Sequence, residues 1–395
     1  MEGVIRNADN GESILLSPHG ILNRLHRVSI EADVTSNPEG RPPPKHLDKI
    51  RERNLESFDQ GGWEMGLTVC PRCGYTSEEP MDFCHECRLN LNPGYEVDSS
   101  IYEHPDDRKA LSAVKKMKPL NIAVRLFLDK LGTPWIDAQF LGGAVRVGPR
   151  QFPDLYRMVV KAGKILAVKE LPKTYVVYSP VMNAFTLGTN EEPVMVLHSA
   201  IVDEMDEDEL MMVIGHEMGH VKSNHVLYHT VLVALRQAAS TFLAGPTALL
   251  LRGLDIALLT WFRKSEYTAD RAGLLVCGDL DAARRAMIKL CLGSKKLFDS
   301  LNLDEYMRQL EELDEEKIGK WSELLMTHPF GIRRVKNLEE FYNSDIYEKL
   351  RGRAESFLAG KPVPEMAVGL ATCPNCGATV APTDRFCSNC GYRLR

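Results

Sequence analysis

The sequence contains the same cysteine pattern twice, near residue 70 and at its C-terminal end: two Cys-x-x-Cys pairs separated by ten residues. Two such turns can surround one metal ion with four thiolates, in a closed site that leaves no position for water. A segment of about 25 residues cannot bury enough apolar surface to fold without that ion. We therefore predict two small zinc ribbons, each with one structural zinc ion. The predicted ligands are Cys70, Cys73, Cys84 and Cys87 in the first ribbon, and Cys373, Cys376, Cys387 and Cys390 in the second.

Composition and charge exclude several classes of function. The chain has 395 residues, a net charge of −6 and a pI near 6.0, so its bulk electrostatics do not favour nucleic acid or an anionic membrane. Paired cysteines are metal ligands in a reducing compartment more often than disulfides. The N-terminal residues carry charge early and lack the apolar segment of a secretory signal. We therefore expect a cytoplasmic protein.

The most apolar region of the chain lies at residues 226–262. Its longest uncharged run, residues 237–251, is 15 residues long and contains Gly245 and Pro246. A membrane-spanning helix needs about 20 apolar residues, and proline interrupts a helix. We predict a buried or interfacial helical hairpin that is broken at Gly245 and Pro246, and not a membrane span. Association with a membrane from the cytoplasmic side is the alternative localisation.

A His-Glu-x-x-His motif at residues 216–220 indicates a metal-binding site. On a helix, residues four apart lie on one face, so His216 and His220 can bind one metal ion, and Glu217 can reach a water molecule beside it. The bare motif also occurs by chance in amphipathic helices. Here Asp206 and Glu209 match a capping box at the start of the helix, and the two histidines fall outside its apolar stripe. This context favours metal binding.

A catalytic zinc ion usually has three protein ligands, so one more residue is required. Glu266 and Asp270 are four residues apart on one predicted helical face. Glu266 can complete the metal site, and Asp270 can accept a hydrogen bond from a ligand imidazole. Gly273 would let this helix approach the first one closely. His225 and His229 are more often solvent-exposed or packing histidines than ligands.

These motifs occur in the order found in the HtpX and CAAX prenyl protease family, which the chain resembles over residues 170–340. The resemblance rests on Asn-Ala-Phe from 183, the motif at 216–220, Ser-Glu-Tyr-Thr-Ala-Asp from 265 and Thr-His-Pro from 327. Members are gluzincin metallopeptidases, whose third zinc ligand is a glutamate. This sequence differs in having Phe330 where many members have a second proline, and in lacking the evident membrane hairpins of HtpX.

The resemblance implies a role for each matching residue. Two histidines and a glutamate would bind the catalytic zinc, a second glutamate would be the general base, and an aspartate would support a ligand. A further histidine and an arginine would stabilise the oxyanion and hold the substrate, and an edge strand would pair with an extended peptide. The zinc ligands would be His216, His220 and Glu266, the general base Glu217, and the supporting aspartate Asp270. The histidine and arginine would be His328 and Arg334, and the edge strand would contain Asn183, Ala184 and Phe185.

The fold implied is α+β, a mostly helical zincin-type metallopeptidase domain with a small β-sheet, flanked by two small zinc ribbons. Short β-branched runs at 173–178 and 193–197 predict strands, and helical patterns dominate 106–131, 151–167 and 207–353. Proline-rich stretches indicate a linker on each side of the domain. The predicted segments are an N-terminal appendage and linker at 1–60, a ribbon at 66–92, the peptidase domain at 100–355, a linker at 356–371 and a ribbon at 372–395.

We expect a zinc-dependent endopeptidase that hydrolyses peptide bonds in proteins, in protein quality control, with one catalytic and two structural zinc ions. Its partners would be a protein or peptide substrate and a protein bound by the ribbons. The alternative is a non-catalytic adaptor that acts through its zinc ribbons, against which the intact ligands and base count. Nucleic-acid binding by the ribbons is disfavoured, because the first ribbon is acidic and the second has too few basic residues.

Overall fold

The computed structural model consists of two compact units, Met1–Glu64 and Met65–Arg395. In the first unit, the described residues form one antiparallel pair, β1 (Val4–Arg6) with β2 (Ser13–Leu15). The predicted domain limits within the second unit stay a prediction. The described residues of the second unit are 67–118, 120–122, 124, 142–241, 246–303, 305–306, 308, 312, 331–365, 371–375, 379–380 and 393–394.

The second unit is mainly helical and contains one four-stranded sheet, which confirms the predicted α+β fold class. The predicted helical stretch at 106–131 begins as α1, which ends at Lys115; the described residues from 118 to 124 are helical again, and 125–131 lie outside the described residues. In chain order the elements are β3 (Thr68–Val69), β4 (Thr76–Ser77), α1 (Pro105–Lys115), β5 (Ala144–Arg146), α2 (Pro153–Ile165), β6 (Lys173–Val177), β7 (Ala184–Gly188), β8 (Pro193–His198), α3 (Ser199–Glu204), α4 (Glu207–Lys222), α5 (Val226–Thr241), α6 (Pro246–Cys277), α7 (Leu280–Leu292), α8 (Lys295–Phe298), α9 (Gly331–Tyr342), α10 (Asp345–Leu358), β9 (Ala371–Thr372) and β10 (Thr379–Val380).

The four-stranded sheet places β7 at its edge. The strand order is β5-β6-β8-β7, with β6 and β8 parallel and the other two pairs antiparallel. Val194 and Leu197 of β8 are fully buried, as expected of a central strand that is covered on both faces. Within the described residues, β7 has a partner on one side only. The Gly188 N–H at the end of β7 donates to Thr230 Oγ1 of α5 at 2.8 Å.

The apolar region contains two helices. α5 is described up to Thr241 and α6 from Pro246 onward; residues 242–245 lie outside the described residues, so the predicted break at Gly245 and Pro246 stays a prediction. Val231 and Leu232 of α5 pack in one buried cluster with Leu258 of α6. Among the described residues, none of the helices combines the length and apolar content needed to cross a membrane.

Close packing of α4 against α6 brings the His-Glu-x-x-His helix beside the helix that carries Glu266. The two helices meet at glycines: a Cβ on Gly219 would lie 2.6 Å from the Cβ of Ala272, and a Cβ on Gly273 would lie 2.7 Å from the Met212 carbonyl oxygen. The close approach predicted from Gly273 is therefore confirmed. The predicted capping box at the start of α4 is also confirmed.

The first ribbon is part of the core of the second unit, which the sequence does not predict. Phe83 is 1% exposed and lies in the main hydrophobic cluster, where a Cβ on Gly163 of α2 would come within 3.1 Å of its Cζ. Arg88 donates through Nε to the Leu171 carbonyl oxygen at 3.0 Å and pairs with Glu170 at 3.0 Å. The ribbon therefore contributes buried surface and hydrogen bonds to the segment that leads into β6.

We predict that Phe83→Ala destabilises the whole second unit. Removing a buried aromatic ring from a core costs about 3–5 kcal/mol in free energy of unfolding. Urea unfolding followed by helical circular dichroism should show a lower midpoint. Leu67→Ala, a change at a 59% exposed residue of the same ribbon, should shift the free energy by less than about 0.5 kcal/mol. An unchanged midpoint for Phe83→Ala would show that the ribbon does not support the core.

Candidate metal centre

Three side chains from two helices converge between α4 and α6. His216 Nε2 lies 3.2 Å from His220 Nε2 and 3.7 Å from Glu266 Oε2. His220 Nε2 lies 3.4 Å from Glu266 Oε1. The four-residue spacing on α4 puts both imidazoles on one face, and the glycine contacts bring Glu266 of α6 opposite them. The structure thus brings together the three residues that the sequence predicts as metal ligands.

These distances match the edges of a tetrahedral zinc site. With zinc–nitrogen and zinc–oxygen distances of about 2.0–2.1 Å, ligand atoms at tetrahedral corners lie about 3.4 Å apart. Two imidazoles and one carboxylate are a donor set that zinc accepts, and three protein ligands leave a fourth corner for a reacting molecule. The three side chains therefore fit a catalytic zinc ion.

Asp270 and Arg334 support the first histidine. Asp270 Oδ1 lies 2.9 Å from His216 Nδ1, and Arg334 donates through Nε and Nη2 to the two Asp270 oxygens at 2.8 and 2.6 Å. Burial lowers the pKa of His216, but the hydrogen bond to Asp270 and the charge of Glu266 outweigh it and raise the pKa. Burial raises the pKa of Asp270, but the charge and hydrogen bonds of Arg334 lower it overall. Asp270 therefore orients His216 with Nε2 toward His220 and Glu266, where it would bind the metal.

The second histidine contacts His225, a residue that the sequence did not select for this role. His220 Nδ1 lies 3.1 Å from Nδ1 of His225, whose Nε2 lies 3.1 Å from Asp107 Oδ2. His229 Nε2 lies 3.0 Å from Ser265 Oγ. His225 and His229 are both buried, so neither is a solvent-exposed histidine. Burial lowers the pKa of His220 to about 4, which keeps this imidazole neutral and able to bind a metal.

Glu217 points from α4 to the edge strand. Its carboxylate accepts a hydrogen bond from Thr186 Oγ1 of β7 at 2.7 Å, and its side chain is buried. Thr186 was not predicted as a site residue, because a threonine within a strand carries no sequence signal for this contact. The hydroxyl fixes one carboxylate oxygen beside the metal ligands.

A cleft opens beside the metal ligands, between the edge strand and α7. Asn183 and Ala184, two of the three residues predicted to bind substrate, line it on the strand side. Phe185, the third, packs edge-to-face on His198 at 5.8 Å between ring centroids. The other walls are mostly apolar. They are formed by Met212, Val213, Ala286, Met287 and Leu290.

The structure describes only one of the two residues, His328 and Arg334, that were predicted to act on the oxyanion and the substrate. His328 lies outside the described residues. Arg334 reaches the centre, where it pairs with Asp270 and lies 3.4 Å from Glu266 Oε2 through Nη1. Its contacts are thus with carboxylates of the site, and its predicted action on the oxyanion and the substrate stays a prediction.

The first ribbon brings its four thiols together. Cys70 Sγ lies 3.5 Å from Cys87 Sγ, and Cys73 Sγ lies 3.6 Å from Cys84 Sγ. Tetrahedral zinc–thiolate sites, with bonds of about 2.3 Å, need sulfur–sulfur distances of about 3.8 Å. In the second ribbon Cys373 is buried, whereas Cys376, Cys387 and Cys390 lie outside the described residues.

Comparison with known proteins agrees with this site. A model of peptidase family M48 matches residues 149–342. The plastoglobule-localized metallopeptidase 48 of Arabidopsis thaliana chloroplasts is 30% identical over 267 residues, which cover 66% of this chain and 77% of that protein. A protease HtpX homolog of Streptococcus pneumoniae (strain P1031) is 25% identical over 236 residues, which cover 51% of this chain and 77% of that protein. The chain belongs to peptidase family M48.

This M48 peptidase is a zinc-dependent metallopeptidase that acts on proteins. The resemblance to the HtpX family is therefore confirmed. A zinc-ribbon domain model matches residues 372–394, which confirms the C-terminal ribbon. Because the family match begins at residue 149, the first ribbon and α1 lie before it in the sequence.

We predict that Thr186→Val lowers kcat/KM about 10- to 150-fold, because a hydrogen bond to a charged group contributes about 1.5–3 kcal/mol. The change keeps the shape of a side chain that is 3% exposed and removes only its hydroxyl. Steady-state cleavage of a peptide should show the loss. Thr174→Val is the matched control, because its buried hydroxyl bonds to the Pro172 carbonyl oxygen. Equal rates for the two variants would remove Thr186 from the site.

Proposed function

We propose that the protein is an endopeptidase in which His216, His220 and Glu266 bind the catalytic zinc and Glu217 is the general base. The observation that carries this proposal is the convergence of the three ligand atoms, with edges of 3.2–3.7 Å, beside the buried Glu217 carboxylate. A zinc ion held there would lower the pKa of a water molecule toward about 7 and polarise the scissile carbonyl.

Glu217 would move the protons of the reaction. Its carboxylate accepts a proton from the attacking water and later delivers it to the leaving amine. The hydrogen bond from Thr186 at 2.7 Å holds one carboxylate oxygen, Oε2, in a fixed position. Proton transfer by a positioned side chain contributes about 10²–10⁴-fold to the rate.

The edge strand and the cleft would hold the substrate. Residues Asn183, Ala184 and Phe185 lie at the exposed edge of the sheet, where an extended peptide can add as a further strand. His328 is proposed to stabilise the oxyanion, from the resemblance alone. Arg334 is proposed to hold the substrate in addition to its contacts with Asp270 and Glu266, which balance the negative charge beside the metal.

The remaining parts of the proposal concern setting and metal content. We place the protein in the cytoplasm, or at the cytoplasmic side of a membrane, in protein quality control. The ribbons are proposed to bind one structural zinc ion each, for a total of three with the catalytic ion, and to contact a protein partner. The adaptor alternative is not favoured, since the catalytic ligands converge in the folded chain.

We predict three zinc ions in the purified protein and two in the Glu266→Ala variant. The variant loses one of three ligands of the open site, whereas both ribbons keep four thiolates each. Elemental analysis after dialysis against a mild chelator measures this content. Asp255→Ala removes a carboxylate from the same helix, where it pairs with Arg236, and should keep all three ions. A variant Glu266→Ala with three ions would rule out Glu266 as a ligand.

We predict that Glu217→Gln keeps three zinc ions but cleaves an unfolded protein at least 10²-fold more slowly, a loss typical of a missing general base. Glutamine preserves the shape of the side chain and the hydrogen bond from Thr186 but cannot accept a proton. Glu207→Gln, at an exposed residue of the same helix, is the control and should retain full activity. Near-normal cleavage by Glu217→Gln would refute the assignment of the base.

A further inference from the structure

Two residues outside the predicted ligand set, His225 and Asp107, are connected by successive polar contacts to the metal ligand His220. His220 Nδ1 lies 3.1 Å from His225 Nδ1, and His225 Nε2 lies 3.1 Å from Asp107 Oδ2. We propose that His225 and Asp107 are positioning residues that fix the orientation of His220 at the catalytic zinc. The inference rests on the proposed zinc site.

The two nitrogens of His220 face different groups. Nε2 lies 3.4 Å from Glu266 Oε1 and 3.2 Å from His216 Nε2, so this nitrogen is the one that can bind the metal. A nitrogen that binds a metal carries no proton, so the proton of a neutral imidazole must be on Nδ1. His220 Nδ1 can then donate only if Nδ1 of His225 is the acceptor.

That requirement determines the tautomer of the next residue. When Nδ1 of His225 accepts, its proton lies on Nε2, which faces the Asp107 carboxylate. The contact at 3.1 Å is close, although the ring is not aligned for a linear hydrogen bond. Both His225 and Asp107 have no exposed surface, so water does not compete for either contact.

Asp107 is itself held as an acceptor by two donors from α6. Trp261 Nε1 donates to Oδ1 at 2.9 Å, and Thr268 Oγ1 donates to Oδ2 at 2.5 Å. Burial raises the pKa of this carboxyl, but the neighbouring His225 imidazole and the hydrogen bonds from Thr268 and Trp261 lower it overall. Asp107 is therefore an ionised group in a rigid position, which suits it to orient an imidazole.

The two ligand histidines thus depend on different supports. His216 is held directly by Asp270, whereas His220 is held by a carboxylate through an intermediate imidazole. Asp107 lies on α1, before the residues matched by the family model. We infer that α1 contributes a side chain that positions a metal ligand, in addition to packing beside the metal centre.

A second metal ion is a poorer explanation of these groups. Glu103, Asp107 and His225 also lie within 4.8 Å of one another. However, Glu103 pairs with Arg108 at 3.0 Å, and both oxygens of Asp107 already accept hydrogen bonds. The carboxylates are thus occupied by protein donors.

The test is the zinc affinity of the catalytic site in the full chain, measured by competition with a chromophoric chelator while the ribbons keep their ions. We expect His225→Phe to weaken zinc binding about 10- to 100-fold, the usual effect of removing such support. His225→Asn keeps an acceptor near the position of Nδ1 and should restore part of the affinity. Asp107→Asn, which preserves shape, should weaken binding in the same direction and serves if His225→Phe does not fold.

Two further measurements separate positioning from packing. Asp107 acts on His220 only through His225. The double variant His225→Phe with Asp107→Asn should therefore bind zinc no more weakly than His225→Phe alone. His229→Phe also removes a buried imidazole that packs on His220, at 4.5 Å between ring centroids, but its nitrogen bonds to Ser265. This variant should keep the affinity of the parent protein.

The outcomes distinguish this inference from the function on which it rests. If Glu266→Ala loses the catalytic zinc while His225→Phe binds it as tightly as the parent protein, the inference is wrong and the proposed site stands. Equal losses for His229→Phe and His225→Phe, or fully additive losses in the double variant, would also overturn it. If Glu266→Ala retains the zinc, the proposed site itself fails.

Discussion

The close contact between α4 and α6 is the constraint on which the metal centre depends. One helix carries His216 and His220, and the other carries Glu266, so the distance between the helices sets the distances between the ligands. Glycines at the contact allow this approach, since a methyl group on Gly219 would lie 2.6 Å from the Cβ of Ala272. Real Cβ atoms do not approach that closely, so an added methyl group would separate the helices or force a local shift. The metal geometry is therefore a consequence of helix packing.

Burying so many ionisable groups is costly unless each has a partner. Around the metal ligands every described carboxylate meets a donor: Asp270 meets Arg334, and Asp107 meets Trp261 and Thr268. The same arrangement recurs at the start of α4, where the buried carboxylate of the capping box pairs with a lysine and an arginine of α7. The partners of Asp270 and Asp107 lower the pKa of both carboxyls, which favours the ionised form that orients an imidazole.

Segments that precede the family match are structural parts of the peptidase. Phe83 of the first ribbon fills a space left by Gly163, and Asp107 of α1 reaches the histidine next to a metal ligand. A zinc ribbon that shares its buried surface with a neighbouring domain couples its own metal-dependent folding to that domain. The first ribbon thus differs from a flanking module that only recruits partners, and its zinc ion would stabilise the sheet that supplies the edge strand.

Features that depend on local spacing could be predicted from the sequence. The four-residue intervals in His216–His220 and Glu266–Asp270, the capping box and the cysteine pairs are predictable because a helix or a turn of known period fixes which side chains are neighbours. Three contacts appear only in the folded structure: Thr186 bonds to Glu217, His225 lies between His220 and Asp107, and the first ribbon enters the core. These contacts join residues on different elements, and no local period specifies how separate helices and strands pack together.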